Sequence, residues 1–69
     1  MAHKLNLTDA ERGSVTVTFN VNRYEAYLPD GLLVGAYMTK QALRDDFKAN
    51  GIHGAQFDAM AQRKYLAGY

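Results

Sequence analysis

Apolar and polar residues alternate along the first half of the chain, and this alternation gives way to a helical spacing near Met38. Between residues 14 and 19, the two valines and Phe19 fall on one side of an extended chain, and the serine and the threonines fall on the other. A period of two is typical of a β-strand with one buried face. The same pattern predicts further strands at residues 23–28 and 32–37, and hence a three-stranded antiparallel meander.

Two short segments between these strands carry turn-forming residues. Residues 20–22 read Asn-Val-Asn, and residues 29–31 read Pro-Asp-Gly. Proline presets φ for the first turn position and glycine accepts the left-handed position, so the second segment predicts a tight hairpin. The first turn is predicted to pair Phe19 with Tyr24 and Val17 with Ala26. The second turn is predicted to pair Leu28 with Leu32, Tyr27 with Leu33, Ala26 with Val34, Glu25 with Gly35 and Tyr24 with Ala36.

This register predicts that the sheet has an apolar face, which meets the helices, and a mixed second face. The apolar face is predicted to hold Val15, Val17, Phe19, Tyr24, Ala26, Leu28, Leu32, Val34 and Ala36. The second face is predicted to hold Thr16, Thr18, Arg23, Glu25, Tyr27, Leu33 and Tyr37. The assignment depends on the pairing, because a change of register by one residue moves a side chain to the opposite face.

The second face is the first candidate binding surface. Tyrosine and arginine are enriched in binding hot spots, and an apolar cluster on an open sheet face usually marks an interaction site. The predicted partner-binding residues are Tyr27, Tyr37, Leu33, Arg23 and Glu25. Alternatively, the N-terminal segment folds over this face and uses Leu5 and Leu7 to close a second small core.

A helical spacing of apolar residues begins after Thr39, which is a favourable N-cap. The first long helix is predicted at residues 40–50 and ends at Gly51, because glycine accepts the left-handed conformation that follows many helices. A second helix is predicted at residues 55–66 from its apolar stripe. Together these segments predict a C-terminal helical hairpin.

One further helical turn is predicted near the N-terminus, where Thr8 and Glu11 have the spacing of a capping box. The expected fold class is therefore α+β. A single small domain over residues 1–69 is expected, with the three-stranded meander packed on the helical hairpin.

A basic stripe on the first long helix is the second candidate binding surface. Lys40, Arg44 and Lys48 recur every four residues and therefore share one face of the helix. Three cations in a row suit a phosphate backbone or an acidic protein surface. The alternative is an ordinary solvated helix face.

Residues that carry chemistry are scarce and scattered, so no enzyme is expected. The chain has no cysteine, and His3 and His53 are far apart in sequence, which predicts no metal site and no cofactor. Ser14 is the only serine and lacks the motif of a catalytic nucleophile. The adjacent Asp45 and Asp46 point in different directions on a helix, so they do not form a catalytic pair.

The remaining composition favours a small protein that acts by binding. The net charge is +1, no apolar run reaches membrane-spanning length and no signal peptide is recognisable, so a cytoplasmic protein is expected. The predicted function is a non-enzymatic protein-protein interaction module, such as a small inhibitor or adaptor of the phage- or plasmid-encoded type that binds and blocks a host protein. The alternative is a small nucleic-acid-binding or transcription-regulatory module that uses the basic helix face. Self-association into a homodimer also fits so short a chain.

Overall fold

The computed structural model of the chain describes residues 6–69 and shows helices packed on a mixed, four-stranded sheet. The elements in chain order are α1 (Asp9–Arg12), β1 (Thr16–Asn20), β2 (Arg23–Tyr27), β3 (Leu33–Tyr37), α2 (Lys40–Ala49), β4 (Gln56–Phe57) and α3 (Ala59–Leu66). The strands lie in the order β3-β2-β1-β4. The expected α+β class is therefore confirmed, whereas the sheet has one strand more than the sequence predicted.

The N-terminal helical turn forms where the capping box predicted it. The Thr8 hydroxyl accepts a hydrogen bond from the Glu11 amide at 3.2 Å, and the Glu11 carboxylate accepts one from the Thr8 amide at 2.8 Å. These reciprocal bonds satisfy amide groups that a helix start leaves without partners. The turn is followed by Gly13, from which the chain enters β1.

The first hairpin has the predicted register. Phe19 pairs with Tyr24, and Val17 pairs with Ala26. The two-residue loop places Val21 at a φ of 59°, in the left-handed region that tight hairpin turns require. A β-branched residue is strained there, and Val21 is 90% exposed, so its side chain gains nothing from packing.

The second hairpin departs from the predicted register through a β-bulge. Tyr27 pairs with Leu33 as predicted, and the Leu28 amide donates to the Leu32 carbonyl, but the three pairs beyond the bulge shift by one residue, to Ala26–Gly35, Glu25–Ala36 and Tyr24–Tyr37. Val34 is the extra residue on β3. Because one residue of slip exchanges the two faces of a strand, Tyr37 lies on the core face and is 6% exposed. Its predicted place on the second face is therefore wrong.

The displaced Tyr37 is held in the core by α2. Its hydroxyl donates a short hydrogen bond to the carboxylate of Asp46, which is 2% exposed, and its ring meets that of Phe47 edge to face at 5.9 Å. A Cβ atom at position 35 would overlap the Tyr37 hydroxyl, so Gly35 provides the space in which this ring lies. The bulge, Gly35 and the buried Asp46 carboxylate thus together place the Tyr37 side chain in the core.

This buried hydroxyl makes the stability of the protein sensitive to alkaline pH. Burial, and then the hydrogen bond to Asp46 and its charge, raise the pKa of Tyr37 far above the ordinary value near 10. The unfolded chain loses this proton first, so the free energy of unfolding should fall by about 1.4 kcal/mol per pH unit as the pH rises above 10. Urea unfolding at several pH values above 10 should show that the free energy of unfolding of Tyr37→Phe falls less steeply with pH than that of the unchanged chain. Equal slopes for the two proteins would contradict this assignment.

Helix α2 begins at the predicted residue and ends at Ala49, one residue before the predicted end. The Thr39 hydroxyl accepts a hydrogen bond from the Ala42 amide at 3.1 Å. Gly51 follows the helix with a φ of 68°, and the Ile52 amide donates to the Phe47 carbonyl at 2.9 Å, which completes a Schellman motif.

The second predicted helix starts later than expected, because the preceding residues form β4. The amides of Gln56 and Asp58 donate to the carbonyls of Val15 at 2.8 Å and Val17 at 3.0 Å, and β4 runs parallel to β1. The Asp58 carboxylate then accepts a hydrogen bond from the Ala61 amide at 2.8 Å and caps α3. The predicted hairpin of helices at residues 40–50 and 55–66 is thus interrupted by an edge strand.

Candidate binding groove

Three of the five residues predicted to bind a partner form a hydrogen-bonded cluster on the second face of β2. Glu25 is only 6% exposed, and its carboxylate accepts hydrogen bonds from the Tyr27 hydroxyl at 2.8 Å and the Arg23 guanidinium at 2.9 Å. The bond from Tyr27, followed by that from Arg23, lowers the pKa of Glu25 below its ordinary value. The Glu25 carboxylate is thus engaged by its two neighbours, whereas the Arg23 side chain remains 46% exposed.

The other two predicted residues are separated by the bulge. Leu33 lies across from Tyr27 and is 47% exposed, whereas Tyr37 is in the core. The alternative that the N-terminal segment covers this face depends on Leu5, which lies outside the described residues. Leu7 is half-buried and packs against the hydrophobic core.

The basic stripe on α2 lies beside α3. Lys40 is half-buried, and its ammonium nitrogen is 4.3 Å from the centre of the Tyr65 ring, a distance typical of a cation–π contact. Arg44 and Lys48 are exposed along the same side of α2. The stripe therefore borders the space between the two helices.

A groove lies between α2, α3 and the segment that leads into β4. Its larger hollow, of about 330 Å³, is lined by Leu43, Arg44, Phe47, Lys48, Ile52, His53, Ala55, Phe57 and Tyr65. A second hollow of about 310 Å³ is lined by Ala55, Phe57, Gln62, Tyr65 and Leu66. The two hollows adjoin at three shared residues, Ala55, Phe57 and Tyr65, and together they are called here the α2–α3 groove.

The lining of the groove includes aromatic side chains that are anchored to the core. The rings of Phe57 and Tyr65 meet edge to face with centroids 5.0 Å apart, and Tyr65 lies 6.5 Å from the ring of the fully buried Tyr24. Edge-to-face contacts of this kind hold aromatic rings in fixed orientations. At the far end Leu66 is 76% exposed and offers additional apolar surface.

The charged side chains that line the groove are positive. Arg44 and Lys48 are joined there by His53, and no carboxylate is among the described residues that line either hollow. The nearest acids along α2 are committed elsewhere, since Asp46 accepts from Tyr37 in the core and Asp45 accepts from Gln41 at 2.8 Å. An apolar surface with a cationic border suits a ligand that combines an apolar side chain with negative charge.

The sequence indicated only part of this groove. The basic stripe was visible from its spacing, and Phe57 and Tyr65 were visible as an apolar stripe, but both aromatic residues were expected on one helix. The groove exists because Phe57 belongs to β4 instead. The aspartate at position 58, a favourable N-cap, was the signal that the helix starts after Phe57.

Other kinds of site receive no support from residues 6–69. In that range no three His, Cys, Asp or Glu side chains are grouped so as to hold a metal ion, and no helix has the length and apolar character needed to cross a membrane. Comparisons of the chain with protein-family models, with curated proteins and with solved structures found no match.

Proposed function

We propose that this protein is a non-enzymatic binding module and that the α2–α3 groove docks an acidic segment of a protein partner. The observation that carries the proposal is the aromatic lining beside Arg44 and Lys48, without a carboxylate among the lining residues. By binding this segment of the partner, such a module acts as an inhibitor or as an adaptor.

The two kinds of contact in the groove have comparable energies. Burying one large apolar side chain contributes about 1.5–3 kcal/mol, and a hydrogen bond to a charged group contributes about 1.5–3 kcal/mol. Hollows of about 330 and 310 Å³ have room for a few side chains. One apolar anchor flanked by two carboxylates therefore uses both parts of the groove.

A protein segment fits the groove better than a nucleic acid does. Tracking a phosphate backbone requires several cations that are free to contact phosphates. The Lys40 ammonium is already placed over Tyr65, which leaves Arg44 and Lys48 as the exposed cations of the stripe. An aromatic lining beside two cations resembles the centre of a protein interface, with its aromatic and arginine anchors.

The charge of the groove can be tested with a matched pair of variants. Arg44→Gln should weaken binding of the partner about tenfold, because a charge-assisted hydrogen bond of about 1.4 kcal/mol is lost. Arg63→Gln makes the same change of net charge on α3 at a residue that does not line the groove, and it should leave the affinity within about twofold. Isothermal titration at two salt concentrations measures both effects.

The partner for this titration must first be identified. A photo-crosslinking residue placed at the exposed position of His53 captures it in the native host, and the capture is repeated with and without nuclease. The crosslinked protein should carry an acidic segment, and the crosslink should be insensitive to nuclease. Equal losses of affinity in Arg44→Gln and Arg63→Gln would exclude the groove as the docking surface. Capture that disappears with nuclease would favour the nucleic-acid alternative.

A further inference from the structure

The strand β4 ends the sheet at the α2–α3 groove. It is an end strand in the order β3-β2-β1-β4, and the backbone amides of Gln56 and Asp58 point toward β1, where they donate to carbonyl groups. Ala55 and Phe57 line both hollows of the groove. A segment that is bound in the groove therefore lies next to β4.

Three backbone polar groups at this edge face away from β1. The peptide bonds of this segment are trans, so the N–H and C=O groups of one peptide unit point in opposite directions. Because the Gln56 amide points toward β1, the Ala55 carbonyl points away from it. The Phe57 carbonyl points away for the same reason, since the Asp58 amide points toward β1. Backbone direction alternates along a strand, so the Phe57 N–H also points away. Within residues 6–69 these three groups form no hydrogen bond.

The side chains of the same segment face the groove. The ring of Phe57 meets that of Tyr65 on α3, with centroids 5.0 Å apart. Directly opposed residues of neighbouring strands project to the same face, so a residue opposite Phe57 would direct its side chain into the hollow beside Tyr65. Residues two positions along a strand share that face. The one beside Ala55 would therefore lie at the larger hollow, which Arg44 and Lys48 also line.

We propose that the acidic segment of the partner binds in an extended conformation and joins the sheet as a fifth strand along β4, with an apolar side chain opposite Phe57 and a carboxylate two residues away. This inference rests on the proposed function, because it specifies how the same groove holds its segment. The backbone of Phe57 offers one donor and one acceptor, which an extended chain pairs with its own. A bound helix satisfies its backbone groups internally, so it would cover these groups without bonding them.

Two peptides of equal composition distinguish these conformations. The probe is the acetylated and amidated heptapeptide Thr-Glu-Thr-Leu-Thr-Glu-Thr, which places its leucine and both glutamates on one face of an extended chain. The control is Thr-Thr-Glu-Leu-Glu-Thr-Thr, which places the glutamates on the face opposite the leucine. In an NMR titration of the full chain, the probe should bind about tenfold more tightly than the control.

The Phe57 amide reports the backbone pairing directly. This N–H has no hydrogen-bond acceptor within residues 6–69, so it should exchange rapidly with solvent deuterium in the free chain. Pairing with the probe gives it an acceptor. Saturation with the probe should therefore slow its exchange by a factor of about ten or more.

The outcomes separate this inference from the function on which it rests. Suppose that Arg44→Gln weakens binding of the probe and Arg63→Gln does not, while the exchange of the Phe57 amide stays unchanged. The groove would then bind acidic segments in another conformation, and the extended pairing would be overturned. Equal affinities of the two peptides, or no binding of the probe up to about 1 mM, would also overturn it. Equal affinities of Arg44→Gln and Arg63→Gln for the probe would overturn the proposed function as well.

Discussion

Replacing Asp46 by alanine should lower the free energy of unfolding by about 2–4 kcal/mol. The Asp46 carboxylate is 2% exposed and accepts hydrogen bonds from the Tyr37 hydroxyl and from the side-chain amide of Asn50. Without it, the Tyr37 hydroxyl stays buried and loses its acceptor. The core of so small a domain supplies only about 3–5 kcal/mol, so the variant should be largely unfolded at ambient temperature. Urea unfolding followed by circular dichroism measures the loss.

The neighbouring aspartate provides the control for this change. Asp45 is exposed, and its carboxylate accepts a hydrogen bond from the Gln41 side chain on the surface of α2. Asp45→Ala should therefore change the free energy of unfolding by no more than about 0.5 kcal/mol. Alanine is the better helix former, so helix propensity cannot account for a loss in either variant. Comparable losses in the two variants would contradict the stabilising role of the buried hydrogen bond.

Gly54→Ala should destabilise the protein by a similar amount, about 2–4 kcal/mol. A Cβ atom at this position would lie 2.5 Å from the carbonyl oxygen of Gly13 and 2.8 Å from its Cα atom. Two backbone segments meet here, so no side-chain rotation can relieve the overlap. The segment that leads into β4 would have to move away from the start of β1, and the hydrogen bonds from the His53 and Gly54 amides to the Arg12 carbonyl would be lost.

The reciprocal change at Gly13 distinguishes this overlap from a general cost of losing a glycine. A Cβ atom on Gly13 would meet the ring of His53 at 3.4 Å, and that exposed side chain is free to move. Gly13→Ala should therefore cost less than about 1 kcal/mol in thermal unfolding. If both alanine variants were equally stable, the close approach of the two segments would be wrong.

The first hairpin could be predicted from the sequence because polar and apolar residues alternate strictly in β1. Val17 and Phe19 mark one face and the threonines mark the other, so only one register buries the apolar side. The turns and helix caps were equally clear, because each depends on a few residues that are close in sequence. Thr39 and Gly51 bound α2 as predicted.

The register of β3 could not be predicted in the same way. Residues 32–37 read Leu-Leu-Val-Gly-Ala-Tyr and contain no charged residue that marks either face. A bulge in this strand therefore moves no charged side chain into the core. Its position depends on contacts distant in sequence, above all the pairing of Tyr37 with Asp46 across to α2. β4 escaped prediction for a different reason, because two residues are too few to show a period.

The candidate site was predictable only where it lies on one element. Lys40, Arg44 and Lys48 share a helix face because of their spacing alone, independently of the tertiary fold. The groove beside them needs Tyr65 of α3 and Phe57 of β4 brought to the same place, which depends on the tertiary fold. Alternation likewise placed Arg23 and Glu25 on one face, but it could not show that their side chains satisfy each other.

The parallel pairing of β1 with β4 has a consequence for the order in which the protein folds. Thr16 meets Gln56 far along the chain, whereas the strands of the meander meet through short turns. Closing the longer loop costs more conformational entropy, so the meander should form first and β4 should dock late. Phe57 completes the wall of the groove only at that step. A ligand that fills the groove therefore binds only the fully folded chain and, by mass action, stabilises the segment that docks last.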